Sequence, residues 1–95
     1  MIYELSCEAE KDIELIFDFT VDEYGLQQAV SYIEKFESCF QQLLLNPQLG
    51  RSRNEIRQEL RSLIQEQHVI FYRVLTDRIR VVRVLHGRSD IAKFL

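Results

Sequence analysis

Hydrophobic residues change their spacing along the chain, and each change marks an element. From Ile2 to Ser6 the pattern alternates weakly, Tyr3 and Leu5 against Ile2, Glu4 and Ser6, which predicts a short strand. Ser6 then stands where a helix N-cap belongs, and Glu8, Glu10 and Asp12 place negative charge at the positive end of the helix dipole. Ala9, Ile13, Ile16, Phe17, Thr20 and Tyr24 recur three and four apart and form one face of an amphipathic helix. Gly25 closes it, because glycine takes the left-handed conformation without steric cost. A second helix follows at once. Its stripe is Ala29, Ile33, Phe36, Phe40, Leu43 and Leu44, and Asn46-Pro47 stops it, since a residue before proline is driven out of helical geometry. Helices joined by one or two residues must lie side by side as an antiparallel hairpin.

Beyond residue 47 the spacing shortens. Gln48 to Glu59 reads as a polar, arginine-rich connection with Ile56 as its anchor, and Leu60 to Gln65 as a strand of poor alternation. His68 to Leu75 and Ile79 to His86 are rich in β-branched and aromatic residues, and Thr76-Asp77-Arg78 links them as a β-hairpin. The predicted order is β-α-α-β-β-β. This is an α+β fold, with the N-terminal strand and an antiparallel helical hairpin packed on one face of a small, mostly antiparallel sheet. No linker, repeat or low-complexity tract interrupts it, so residues 1–95 are read as a single domain.

The last two strands are apolar on both faces. Val69, Phe71 and Leu75 alternate with Ile70, Tyr72 and Val74, and Ile79, Val81 and Leu85 with Val82 and Val84. A sheet with one wet face would carry polar residues on that face. A three-residue turn at 76–78 sets Phe71 opposite Arg83 with Arg73 on the same face, and leaves Val82 and Val84 for the helices. A two-residue turn would set Arg73 with Arg80 instead. The first arrangement is preferred. One hairpin of helices covers only one face, so the other is expected to be a partner surface. Phe71, Arg73, Val81, Arg83, Leu85, His86 and Arg88 are its candidate residues, and an acidic or extended segment is the expected occupant.

Charge sharpens this picture. The formal net charge is −3, but residues 1–50 carry ten acids against two lysines, and residues 51–95 carry nine arginines and Lys93 against five acids. The halves stand at −8 and +5. An acidic end and a basic end attract different partners, and the split argues against a protein that coats nucleic acid all over while leaving the basic end open to a local anionic target. No stretch approaches the roughly 18 apolar residues of a membrane helix, and nothing reads as a signal peptide. Cys7 and Cys39 do not make a disulfide framework or a zinc motif. A cytoplasmic protein without cofactor or metal is the expectation.

Catalytic constellations are few. His86, Ser89 and Asp90 invite a triad, but a contiguous turn rarely meets the required orientation. A structural turn fits better, with Asp90 capping a short helical turn and Arg88 reaching a carboxylate. Glycosidase-type paired carboxylates and glycine-rich phosphate loops are absent from the sequence. A metal-free ribonuclease would need cationic side chains around the phosphate and a general acid–base pair. His86, Arg61, Arg83 and Arg88 are the candidates for that alternative, with Arg51 and Arg53 in reserve; solvation of the loop is the simpler role for that last pair.

Several motifs in order resemble the ParE branch of the RelE/ParE toxin superfamily. They are Ser6-x-Glu8-Ala9-Glu10-x-Asp12-Ile13, Tyr24-Gly25-x-x-Gln28-Ala29 and Asn46-Pro47-x-Leu49-Gly50, followed by Leu60-Arg61, His68 to Arg73, the run ending Arg83-Val84-Leu85-His86, and Asp90. The resemblance spans about residues 3–91. It implies the toxin of a type II toxin–antitoxin pair, with a ParD-like or other cognate antitoxin wrapping a segment over it in a hetero-oligomer. RelE-like members cleave mRNA on the ribosome, and are generally strongly basic with a tyrosine near the C-terminus; this chain is acidic and carries Phe94 there. ParE-like members typically poison DNA gyrase by binding, without catalysis and without sequence-specific nucleic-acid contacts. The resemblance therefore favours a gyrase inhibitor, with a RelE-type endoribonuclease and a non-toxic antitoxin-binding protein as alternatives.

Overall fold

The computed structural model describes residues 1–95. Its first strand, β1 (Ile2–Leu5), leads into α1 (Cys7–Tyr24) through the expected cap: Ser6 Oγ accepts the Ala9 N–H at 3.0 Å. The same hydroxyl donates to the Val82 carbonyl at 2.7 Å, so one side chain starts the helix and ties it to the sheet. Gly25, at φ 93°, ends α1 and begins α2 (Leu26–Leu45), and its N–H donates to the Val21 carbonyl. A side chain there would be strained in that conformation. Asn46 closes α2 before Pro47, as the sequence predicts.

Three strands follow that were expected, β3 (Arg61–Gln65), β4 (His68–Val74) and β5 (Arg78–His86). One short strand was not, β2 (Arg51–Ser52), and the single turn α3 (Ile91–Phe94) is the short helical turn expected after Asp90. The five strands lie in the order β1-β5-β4-β3-β2, antiparallel except for β1 beside β5. No helix is long and apolar enough to cross a membrane.

Both turn registers proposed from the sequence occur, in succession. Leu75 N–H bonds the Arg78 carbonyl at 2.8 Å, which makes a two-residue turn of Thr76-Asp77 and sets Arg73 opposite Arg80. The expected three-residue turn is thereby corrected. A β-bulge then skips Val82, so Tyr72 faces Val81 but Phe71 faces Arg83. The extra residue breaks strict alternation. Val81 and Val84 consequently both face the helices, whereas Val82 turns to the other side with Leu85.

The helical face is packed by Ala9, Ile16, Phe36 and Phe40 against Ile70, Val81 and Val84, and continues as Leu43 on Tyr72 and Ile79. α1 contributes less than its stripe suggested, since Tyr24 is exposed. The second face is not left open. Leu60, Phe71 and Leu85 form a small core there, covered by Ile56 from the 53–60 loop and by Ile91 and Leu95. Phe71 and Leu85 are only 0% and 5% exposed there, and Val81 is buried on the helical side instead. The expectation of an uncovered apolar face therefore fails, because a loop and one helical turn supply the cover. Only Ile56 marked the loop as core-forming in the sequence.

Candidate functional site

Arg83 sits at the bulge, and its side chain is mostly buried. Nε and Nη2 donate to the two carboxylate oxygens of Asp12 at 2.8 Å each, a bidentate pair from strand to helix. Asp12 Oδ2 also accepts the Val84 N–H at 2.9 Å, a donor beside the irregular ladder. The side chains are only 16% and 10% exposed, and the hydrogen bonds that Arg83 donates to Asp12 push its pKa further up. Arg83 Nη1 lies 3.4 Å from the Phe94 carbonyl, and the guanidinium stacks 5.3 Å from the Phe94 ring centroid. One arginine thus joins α1, β5 and α3.

The other basic residues are distributed among separate local tasks. Arg61 Nη1 donates to the Gly50 carbonyl at 2.7 Å. Arg53 bonds Glu55 at 2.8 Å and Ser62 at 3.2 Å, and the Glu55 carboxyl is held below its ordinary pKa chiefly by that arginine. Arg57 Nη2 holds the Leu95 carbonyl at 2.9 Å, fastening the cover over the second face. Arg73 has only a long 3.7 Å contact with Glu59, and Arg51 is exposed. Arg88 pairs with no carboxylate, contrary to expectation, and Asp90 caps α3 without a side-chain hydrogen bond. Of the expected partner-binding set, Phe71, Val81 and Leu85 are buried and Arg83 is paired internally, while Arg73, His86 and Arg88 remain accessible.

The residues weighed for nuclease chemistry do not converge. His86 pairs with His68 at one end of β4, whereas Arg61 pairs with Tyr72, four residues along the same strand. At 3.2–3.4 Å per residue that separation is about 13 Å. Arg83 is occupied by Asp12, which leaves His86 and Arg88 adjacent in one turn, with the Arg88 N–H donating to His86 Nδ1 at 3.0 Å.

A second cluster was not singled out in the sequence. His68 and His86 face each other across the β4–β5 pair with ring centroids 5.4 Å apart. Tyr32 Oη lies 2.6 Å from His68 Nδ1, and the Phe36 ring meets His68 edge-on. Burial, then the neighbouring His86, lowers the His68 pKa, and burial raises that of Tyr32. The sequence signal was available: two histidines at the facing ends of two predicted strands.

A family model described as the ParE toxin of the type II toxin–antitoxin system parDE matches residues 3–91. The chain belongs to the ParE toxin family. Toxin ParE1 of Mycobacterium tuberculosis is 39% identical over 94 residues, spanning 98% of this chain and 96% of that protein. Toxin ParE1 of Caulobacter vibrioides is 30% identical over 84 residues, spanning 88% and 86%. A solved structure titled "Chromosomal ParDE TA system from P. aeruginosa" superposes with a TM-score of 0.78, covering 90% of this chain and 95% of that one. At 20% identity that last likeness bears on the fold, which is RelE/ParE-like. ParE membership makes this chain a toxin of a type II toxin–antitoxin system and supports an antitoxin as its partner.

Proposed function

We propose that this ParE-family toxin acts in the cytoplasm by binding DNA gyrase, without cutting RNA, and is held inactive in a hetero-oligomer with its antitoxin. The observation that supports a binding mechanism is the dispersal of the basic side chains. Arg83 neutralises Asp12 and Arg61 holds the Gly50 carbonyl about 13 Å along the strand from His86. Stabilising a pentacoordinate phosphate needs preorganised cations around one point, with an acid and a base in reach of it. Family resemblance supplies gyrase as the target, and the acidic net charge of −3 accords with a target other than ribosomal RNA.

The deciding experiment runs two assays on the purified toxin. Gyrase supercoiling and cleavage-complex formation are expected to respond, and ribosome-dependent mRNA cleavage is not. Transcript cutting without any effect on gyrase would overturn the proposal in favour of the endoribonuclease. Induction of the chain alone in cells is expected to arrest growth. Normal growth would leave a non-toxic antitoxin-binding protein.

A further inference from the structure

The sheet is left open along part of β3, and the residue at the opening is apolar. β2 pairs with β3 only at Arg51 with Ser62 and Ser52 with Arg61, so Leu63, Ile64 and Gln65 have a strand neighbour on the β4 side alone. Backbone groups alternate in direction along a strand. The Arg53 N–H bonds the Leu60 carbonyl at 2.7 Å, which turns the N–H and C=O of Leu60, Ser62 and Ile64 away from β4. Those of Ile64 lie just past the end of β2, where no strand of the chain meets them.

Natural sheet edges are blunted by a charge, a proline or a cover. Here the open position is Ile64, 73% exposed, and Leu49 beside it is 43% exposed. Both line a hollow of about 480 Å³ together with Leu63, Val69, Arg51 and Arg53. Arg53 is held by Glu55 and Ser62. Arg51 is exposed and pairs with no carboxylate of the chain. Glu66, just beyond the strand, is already engaged by Lys35 at 2.8 Å.

These features select the occupant. An outward N–H and C=O on one residue offer a ladder pair to an extended backbone, and a helix, whose own backbone is satisfied, has no use for them. Ile64, Leu49 and Val69 call for an apolar side chain, and the free guanidinium of Arg51 for a carboxylate nearby on the same segment. Nucleic acid brings neither a peptide ladder nor aliphatic side chains to such a hollow.

We propose that an extended acidic segment of gyrase adds to the sheet beside Ile64, in line with β2, with an apolar side chain in the hollow and a carboxylate on Arg51. The proposal rests on the reading of this chain as a gyrase-binding toxin and gives that reading its contact surface.

The test measures inhibition of purified gyrase in supercoiling by wild-type and variant toxin, beside calorimetric affinity for the full-length antitoxin. Ile64→Pro removes the outward N–H and spares the bonds from Leu63 and Gln65 to β4, since proline is tolerated where that group faces solvent. It is expected to raise the half-inhibiting concentration more than about tenfold. Arg51→Glu is expected to raise it about tenfold, because repulsion replaces attraction. Lys93→Glu makes the same charge change on α3 and is expected to stay within about twofold. Antitoxin affinity is expected to be unchanged in all three. Circular dichroism melts of Arg51→Glu and Lys93→Glu are expected to match the wild type, so Arg51→Glu decides the question if Ile64→Pro unfolds. Wild-type inhibition of gyrase that Arg51→Glu and a folded Ile64→Pro retain in full would overturn the site and leave the gyrase reading standing. Equal losses from Arg51→Glu and Lys93→Glu would replace the site with net charge alone. Antitoxin affinity that falls while gyrase inhibition holds would assign the hollow to the antitoxin instead. No inhibition of gyrase by the wild type would overturn the proposal together with the reading beneath it.

Discussion

The two faces of the sheet both carry apolar residues and are covered by different kinds of structure. On one, α1 and α2 bury Ile70, Tyr72, Ile79, Val81 and Val84 under long capped helices. On the other, Phe71 and Leu85 lie beneath an irregular loop and one turn of helix, α3. The helical cover satisfies its own backbone and tolerates the loss of a neighbour. The irregular cover depends on a few points: Ile56, Leu60, Ile91 and Leu95, with Arg57 holding the Leu95 carbonyl. Apolar area is thus covered by a cooperative layer on one side and by a smaller tethered patch on the other, and local opening should concentrate at the patch.

Phe36→Ala tests the stronger side. Phe36 is 1% exposed at the centre of the helical core, and its truncation should cost about 3–5 kcal/mol in urea unfolding. Next comes the fastener between the two sides. Asp12→Ala strands the Arg83 guanidinium in a mostly buried site and leaves the Val84 N–H without its acceptor. The expected loss is about 2–4 kcal/mol by the same measurement. A loss no larger than that of an exposed acid such as Glu14→Ala would show that water replaces the carboxylate.

Ile91→Ala should cost only about 1 kcal/mol, for a half-buried side chain on the weaker side. Its distinctive effect should appear in hydrogen exchange, as faster opening of the 53–60 loop and α3 while α1 and α2 stay protected. Uniform acceleration would mean that the two covers open as one. The smallest effect is that of pH. Burial holds the His68 pKa below its ordinary value of 6.5 in the folded chain. The unfolded chain therefore binds the proton more readily, so stability is complete above pH 6.5 and declines as pH falls toward the folded value. Melting of wild type against His68→Asn between pH 7.5 and 5.5 should show the steeper decline in wild type, and parallel curves would assign the proton elsewhere.

What could be read in advance was whatever local chemistry decides. Ser6, Gly25 and Asn46-Pro47 placed the helix ends, and the β-branched runs placed β4 and β5. The bulge at Val82 was illegible, because a two-residue and a three-residue turn fit the same residues and nothing nearby announces a switch between their registers. Asp12 looked like one more solvated acid in a helical first turn; only the folded chain reveals that it points at Arg83, 71 residues away. The cover on the second face was hidden for a related reason. Its apolar residues are sparse, and their contacts are set by tertiary packing without a period of their own. Much of the expected partner surface was thereby misplaced, since Phe71, Val81 and Leu85 are core.

The pairing of β1 with β5 also sets a timetable. Everything that fixes the first strand and helix to the sheet lies near the far end of the chain: the β5 ladder from Arg78 to Val81, the Val81 and Val82 carbonyls that meet Ser6, and Arg83 with Val84 on Asp12. While a ribosome is still making residue 77, β1 has no strand to pair with and α1 has no sheet to rest on. A message cut short before the last strand yields a helical hairpin without a toxin's fold. The cell therefore meets this toxin as a finished chain, after synthesis has passed its final hairpin.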